Sequence, residues 1–132
     1  SRYCLYREYK SMLEVEKYLS VQLDVKLRKI LIKFRSGLLP LMYNSGRWND
    51  IAKEQRFCPL CTSGIENEYH FLLLCPHYKE LRNKYLSHLI RNNYSMCTFK
   101  RILSSDNKNT LEKLSLFLNH AFEKRNSLLV NM

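Results

Sequence analysis

Apolar residues recur along this chain at helical rather than strand spacing. Tyr3, Tyr6 and Tyr9, with Leu5, Met12, Leu13, Val15 and Leu19, predict a first helix over roughly 4–19. Ser20 can cap a second helix over roughly 21–35. In it, Leu23, Leu27, Ile30, Leu31 and Phe34 follow the i, i+4, i+7, i+8, i+11 pattern of one buried face. Asp24 falls in its first turn, where a negative charge suits the helix dipole.

The periodicity then breaks. The stretch SGLLPLMYNSGRWNDIAKEQR holds two of the three glycines and one of the three prolines. It reads as a long ordered loop with a short extended piece at Leu41–Tyr43. Beyond it, Pro76 opens a helix over roughly 77–91, since proline is tolerated at the first helical position. Leu81, Tyr85, Leu89 and Ile90 form its stripe. A short helix occupies roughly 98–104. Asn109 and Glu112 resemble a capping arrangement for a last helix over roughly 110–127, lined by Leu111, Leu114, Leu118 and Phe122. Scarce glycine and proline argue against a turn-rich β-sandwich. The expected fold class is all-α: a small helical domain with one embedded metal knuckle. Its parts are a basic helical segment and loop (1–56), the knuckle (57–78) and a helical C-terminal segment (79–132), together one compact domain of 132 residues. The stripes at Leu27–Phe34, Leu81–Leu89 and Leu114–Phe122 are expected to meet in one core.

Charge changes the picture. The formal net charge is +10, an excess that opposes folding by self-repulsion and signals an anionic partner. No apolar run approaches the roughly eighteen residues that a membrane span needs, and no signal-peptide pattern opens the chain. The start at Ser1 suggests a fragment of something longer.

Five cysteines, an odd count without secretory features, favour metal ligation or free thiols over a disulfide framework and suit a reducing, intracellular compartment, nucleus or cytoplasm. Three of them crowd into RFCPLCTSGIENEYHFLLLCPHY. Cys58, Cys61, His70 and Cys75 follow the spacing C-x2-C-x8-H-x4-C. A structural zinc ion takes four such donors in a tetrahedron. Cys58-Pro59-Leu60-Cys61 can form a tight knuckle, and a short helix started by Glu66 or Asn67 would carry His70. Cys75 reaches the same ion if that helix ends or kinks before Pro76. Four protein ligands leave no coordination position for a catalytic water. The competing readings are reduced core thiols and a redox dithiol, and His77 is a rival fourth ligand.

These residues resemble the region that follows the polymerase domain in reverse transcriptases of animal non-LTR (long interspersed) retrotransposons. The matching pieces are Lys33-Phe34-Arg35, Gly46-Arg47-Trp48, Arg56-Phe57-Cys58-Pro59-Leu60-Cys61, the run Glu66 to Pro76, Tyr78 and Leu81-Arg82. Family members often carry a His and a Glu in the loop before Gly-Arg, where this chain has Leu39 and Asn44. The resemblance implies a zinc-stabilised element that helps a polymerase engage RNA and target DNA. On it, Cys58, Cys61, His70 and Cys75 are zinc ligands, and Arg35, Arg47 and Arg56 are flanking basic residues. No polymerase motif is present.

The residues also outline a binding surface. Lys26, Lys29 and Lys33 share one helix face at i, i+3, i+7, with Arg28 and Arg35 alongside. Arg47, Lys53 and Arg56 extend it toward the knuckle, and Trp48 can stack on a base or simply pack. Phosphate contacts by Lys26, Lys29, Lys33 and Arg35 would give a log–log salt slope of roughly −3 to −4. The alternative is a zinc-stapled protein-interaction module that docks on an acidic surface, for example another part of a parent polyprotein. Paired carboxylates, a phosphate-cradling glycine loop and an open metal position are all missing, so no enzyme is expected.

Overall fold

A computed structural model of the chain describes residues 24–131. The helix expected over 4–19, Ser20 and Leu23 lie outside them. The fold is all-α, and among the described residues the only strand-like pairing is one antiparallel bridge, Phe57 to Ile65.

The first described helix, α1, runs Val25–Arg35. Asp24 is its N-cap: the side chain accepts from the Lys26 N–H at 2.9 Å. Leu31 and Phe34 are fully buried, and Ile30 packs against them. The segment expected to be a loop instead contains a second helix, α2, Met42–Trp48. Leu41 is extended before it, as a position following Pro40 allows, but Met42 and Tyr43 are helical. The periodicity missed α2 because its buried positions are Asn44 and Gly46, not apolar side chains.

The expected helix over 77–91 is broken in two. Pro76–Tyr78 form a 3-10 turn, followed by α3, Lys79–Tyr85, and α4, Ser87–Ile90. Helix α5 runs Met96–Leu103, with the Ser95 hydroxyl accepting from the Thr98 N–H. The last and longest helix, α6, runs Lys108–Val130. Its cap is Asn107, two residues before the expected Asn109, with the side chain accepting from the Thr110 N–H at 3.2 Å.

Helix α6 packs along both α1 and α3. Leu111, Leu114, Phe117, Leu118 and Ala121 are fully buried, and Leu81, Tyr85, Leu89 and Phe122 close over the same core. Leu27 is half-buried at its margin. Phe71 is the hub: its ring meets Tyr78 at 4.8 Å, Phe117 at 6.2 Å, Phe34 at 6.3 Å and Phe122 at 6.5 Å. Because Phe71 directly follows His70, the knuckle is bolted to the helical core by one peptide unit. No helix among the described residues is long and apolar enough to cross a membrane.

Candidate metal centre

The knuckle begins as a tight reversal. Phe57 bridges Ile65, the Cys58 N–H donates to the Gly64 carbonyl at 2.8 Å, and the Thr62 N–H donates to the Cys58 carbonyl at 2.9 Å. Thr62 takes the left-handed conformation (φ 56°) that lets so short a loop turn back. This brings Cys58 and Cys61 to one side.

The other two donors come from a π-helical turn, His70–Leu74. The Asn67 side chain accepts from the His70 N–H at 2.8 Å and starts this segment. The Cys75 N–H then donates to the His70 carbonyl at 2.9 Å, five residues back. Such i→i+5 turns are rare and gather at functional sites. Here the wide turn accommodates the five-residue step from His70 to Cys75, and Cys75 leaves the turn in extended conformation (ψ 125°) ahead of Pro76.

One ligand atom from each of Cys58, Cys61, His70 and Cys75 lies within 4.8 Å of the others. The Cys58 and Cys75 sulfurs are 3.9 Å apart, and Cys61 Sγ is 3.3 Å from His70 Nε2. These four residues can hold one metal ion. His77 is not among them: its Nε2 lies 3.2 Å from the Leu60 carbonyl oxygen, and its side chain is exposed.

The two buried sulfurs, Cys58 and Cys75, share a proton unequally. The hydrogen bond from Cys75 holds the Cys58 thiol down to about 3 against the opposing effect of burial, helped by His70 and the Cys61 and Leu60 amides. The same pairing, with burial, pushes Cys75 up. Metal ions bind thiolates, so binding one replaces the proton that this pair shares.

Around the cluster stands a layer of buried charge that periodicity did not reveal. Arg82, on α3, donates from Nε to the Leu72 carbonyl at 2.7 Å and from Nη2 to the Cys75 carbonyl at 2.6 Å. It thereby meets the Leu72 carbonyl of the π turn and the Cys75 carbonyl beyond it, which also accepts from the Tyr78 N–H at 3.3 Å. Burial lowers its pKa from the ordinary arginine value. Glu66 is fully buried and accepts both Arg125 nitrogens, at 2.7 and 2.8 Å, and the Met42 N–H at 2.7 Å. It joins α2, the knuckle and α6. Glu68 is equally buried; Asn44 donates to it at 2.7 Å and to the Leu39 carbonyl at 2.7 Å. Burial raises the Glu68 carboxyl above its ordinary value, opposed by Asn44 and by the Arg47 charge. One sequence signal existed for Arg125. It continues the stripe Leu111, Leu114, Leu118, Ala121 at heptad spacing, so a charge there must be buried.

The expected nucleic-acid surface is divided. Lys26, Lys29 and Lys33 are exposed along α1, and Arg28 is half-buried beside them. Lys26 Nζ bonds Glu123 Oε1 of α6 at 3.1 Å. Trp48 is half exposed at the end of α2, and Lys53 is exposed in the 3-10 turn Lys53–Gln55. Arg35 and Arg56 do not belong to that surface. Arg35 is fully buried, with Nη2 donating to the Ser105 carbonyl. Arg56 is buried too, donating to the carbonyls of Ile51 at 2.8 Å and Tyr43 at 3.0 Å. The physical reason is that a guanidinium has five donors and can satisfy loop carbonyls where no regular structure does. Arg47 is intermediate, with its Nη2 inside.

Comparison with family models, curated proteins and solved structures finds no match to the chain.

Proposed function

We propose that this chain is a zinc-stabilised nucleic-acid-binding module from the C-terminal part of a non-LTR retrotransposon reverse transcriptase, and that it is not itself an enzyme. The observation that carries the reading is the four-donor cluster. Zinc–sulfur bonds of about 2.3 Å and zinc–nitrogen bonds of about 2.0–2.1 Å in a tetrahedron set sulfur–sulfur and sulfur–nitrogen edges of about 3.8 and 3.5 Å. The distances of 3.9 and 3.3 Å lie close to those edges. A Cys3His set is a usual donor set for structural zinc, and it favours zinc over harder cations that prefer oxygen. Bound there, zinc supplies a cross-link between the reversal at Cys58–Cys61 and the π turn, with all positions filled by protein.

For nucleic acid, support comes from the +10 charge and from the lysine row on α1, with Trp48 and Lys53 exposed beyond it. Lysines so placed neutralise phosphates without reading sequence. Reduced thiols at the cluster suit an intracellular setting, nuclear or cytoplasmic, and the rest of a parent polyprotein is a further partner. The test is elemental analysis of the purified chain together with its affinity for single-stranded and duplex RNA and DNA over a salt series. One zinc per chain and salt-dependent binding are expected. A metal-free protein whose melting ignores a strong chelator defeats the zinc reading. A zinc-loaded chain that binds neither RNA nor DNA at low salt moves the function to protein docking.

A further inference from the structure

A groove of about 360 Å³ runs between α1 and α6. Its size falls within the roughly 300–1,000 Å³ of small-molecule sites. Ile30, Leu39, Pro40 and Phe122 supply apolar walls. The two rims differ in chemistry. On the α1 side stand Lys29 and Lys33, which pair with no acidic group among the described residues. On the α6 side stand Asn119 and Glu123. Lys26 reaches across to Glu123 at 3.1 Å, an ion pair exposed on both sides, which places the carboxylate at the groove.

We propose that this groove receives one unstacked base of a single-stranded nucleic acid, with the adjoining phosphates on Lys29 and Lys33. The inference rests on the nucleic-acid reading above and adds the site, the strand state and a base preference. A nucleotide has the same asymmetry as the groove: an anionic phosphate on one side, a flat apolar face between, and a hydrogen-bonding base edge on the other. Duplex DNA keeps its base faces stacked and offers the walls nothing. An acidic peptide would satisfy the lysines, but its carboxylates would meet Glu123. A carboxylate accepts from an exocyclic amino group, as acidic side chains do from cytosine N4. Bases that carry such a group there are therefore favoured over thymine and uracil.

The test uses the full zinc-loaded chain with fluorescent 12-mers of oligo-dC and oligo-dT and a duplex of mixed sequence. The parent is expected to prefer oligo-dC to oligo-dT by roughly tenfold, the lower end of what one hydrogen bond to a charged acceptor contributes. Asn119→Trp fills the groove without touching a lysine. It is expected to weaken oligo-dC binding about tenfold, the size of one lost base contact, and to leave duplex binding unchanged. Photo-crosslinking of a 5-iodocytosine 12-mer to the parent chain is expected to label the peptide that contains Phe122, and this readout needs no variant to fold. Unchanged oligo-dC affinity in a folded Asn119→Trp variant, or crosslinks confined to other segments, overturns the groove and leaves the nucleic-acid reading standing. A parent that binds no oligonucleotide but binds a Glu-rich peptide overturns both.

Discussion

The knuckle and the α1–α6 pair solve the problem of placing charge in opposite ways. Around the knuckle the charges are inside: Glu66, Glu68, Arg56, Arg82 and Arg125 are all at most 6 % exposed. Nearly every one satisfies backbone or another charge. Between α1 and α6 the apolar stripe is inside, and the lysines stand in water. The difference follows from backbone regularity. Two helices satisfy their own peptide groups, so packing alone holds them. The reversal, the π turn and the short α2 leave carbonyls that something must meet, and arginine meets them. Lys29 and Lys33 on α1 are therefore available for partners, whereas Arg56, Arg82 and Arg125 are committed to structure.

The sharpest way to break the comparison is to deny the four-donor cluster the zinc proposed for it. Structural zinc contributes about 10–16 kcal/mol in small zinc peptides, comparable to the stability of a whole domain. Chelation, or Cys61→Ser, is expected to unfold at least residues 47–82 and to lower the melting temperature. Hydrogen exchange followed by mass spectrometry will show whether α1 and α6, which need no metal ligand, keep residual protection.

The next largest effect belongs to the buried ion pair. Arg125→Ala leaves the Glu66 carboxylate sealed in the core without its bidentate partner. Breaking such a pair costs about 3–5 kcal/mol, read as a shifted denaturant midpoint. Arg125→Met with Glu66→Gln should recover most of that loss, because no ionised group is then stranded. If the double variant is as weak as the single one, the pair does more than neutralise charge.

A smaller effect tests how tightly arginine is committed. A Cβ on Gly46 would sit 2.7 Å from Arg56 Cγ and 2.8 Å from its Cδ. Gly→Ala in a helix ordinarily stabilises by about 0.5–1 kcal/mol. Here it must displace a side chain pinned at both the Ile51 and Tyr43 carbonyls. Gly46→Ala is expected to destabilise by about 1–3 kcal/mol, in contrast to the same change at a solvent-facing helical glycine.

How much of this was legible in the sequence divides along the same line. The helix stripes announced α1, the stretch that became α3 and α4, and α6, since a buried apolar face must repeat with the helix period. The four-donor cluster was legible because cysteine and histidine at that spacing have few other uses than to come together. Helix α2 was illegible because Asn44 and Gly46 face inward there. The role of Arg56 was illegible because an arginine that caps loop carbonyls from a loop has no period and looks like any basic surface residue. Arg35, Arg82 and Arg125 differ from it, each standing four residues from a buried Leu31, Tyr78 or Ala121.

The smallest effect on stability carries the most information about binding. Lys29→Glu with Lys33→Glu alters only exposed side chains on α1, so the melting temperature should hardly move; surface changes of this kind stay within about 0.5 kcal/mol. Binding should fall for all sequences alike, because phosphate contacts position without specifying. The salt dependence of the parent should also be shallower than four contacts would give. Arg35 is buried and Lys26 is held by Glu123, which leaves Lys29 and Lys33 as the free pair on this face. Two phosphates on a single strand correspond to a slope of about −1.4, against about −2.8 for four. A measured slope near the steeper value would mean that Lys26 leaves Glu123 when nucleic acid arrives, or that Lys53 and Arg28 join the contact. Glu123→Gln separates these cases: it frees Lys26 in advance and should steepen the slope by about 0.7 only if the pair holds Lys26 back in the parent.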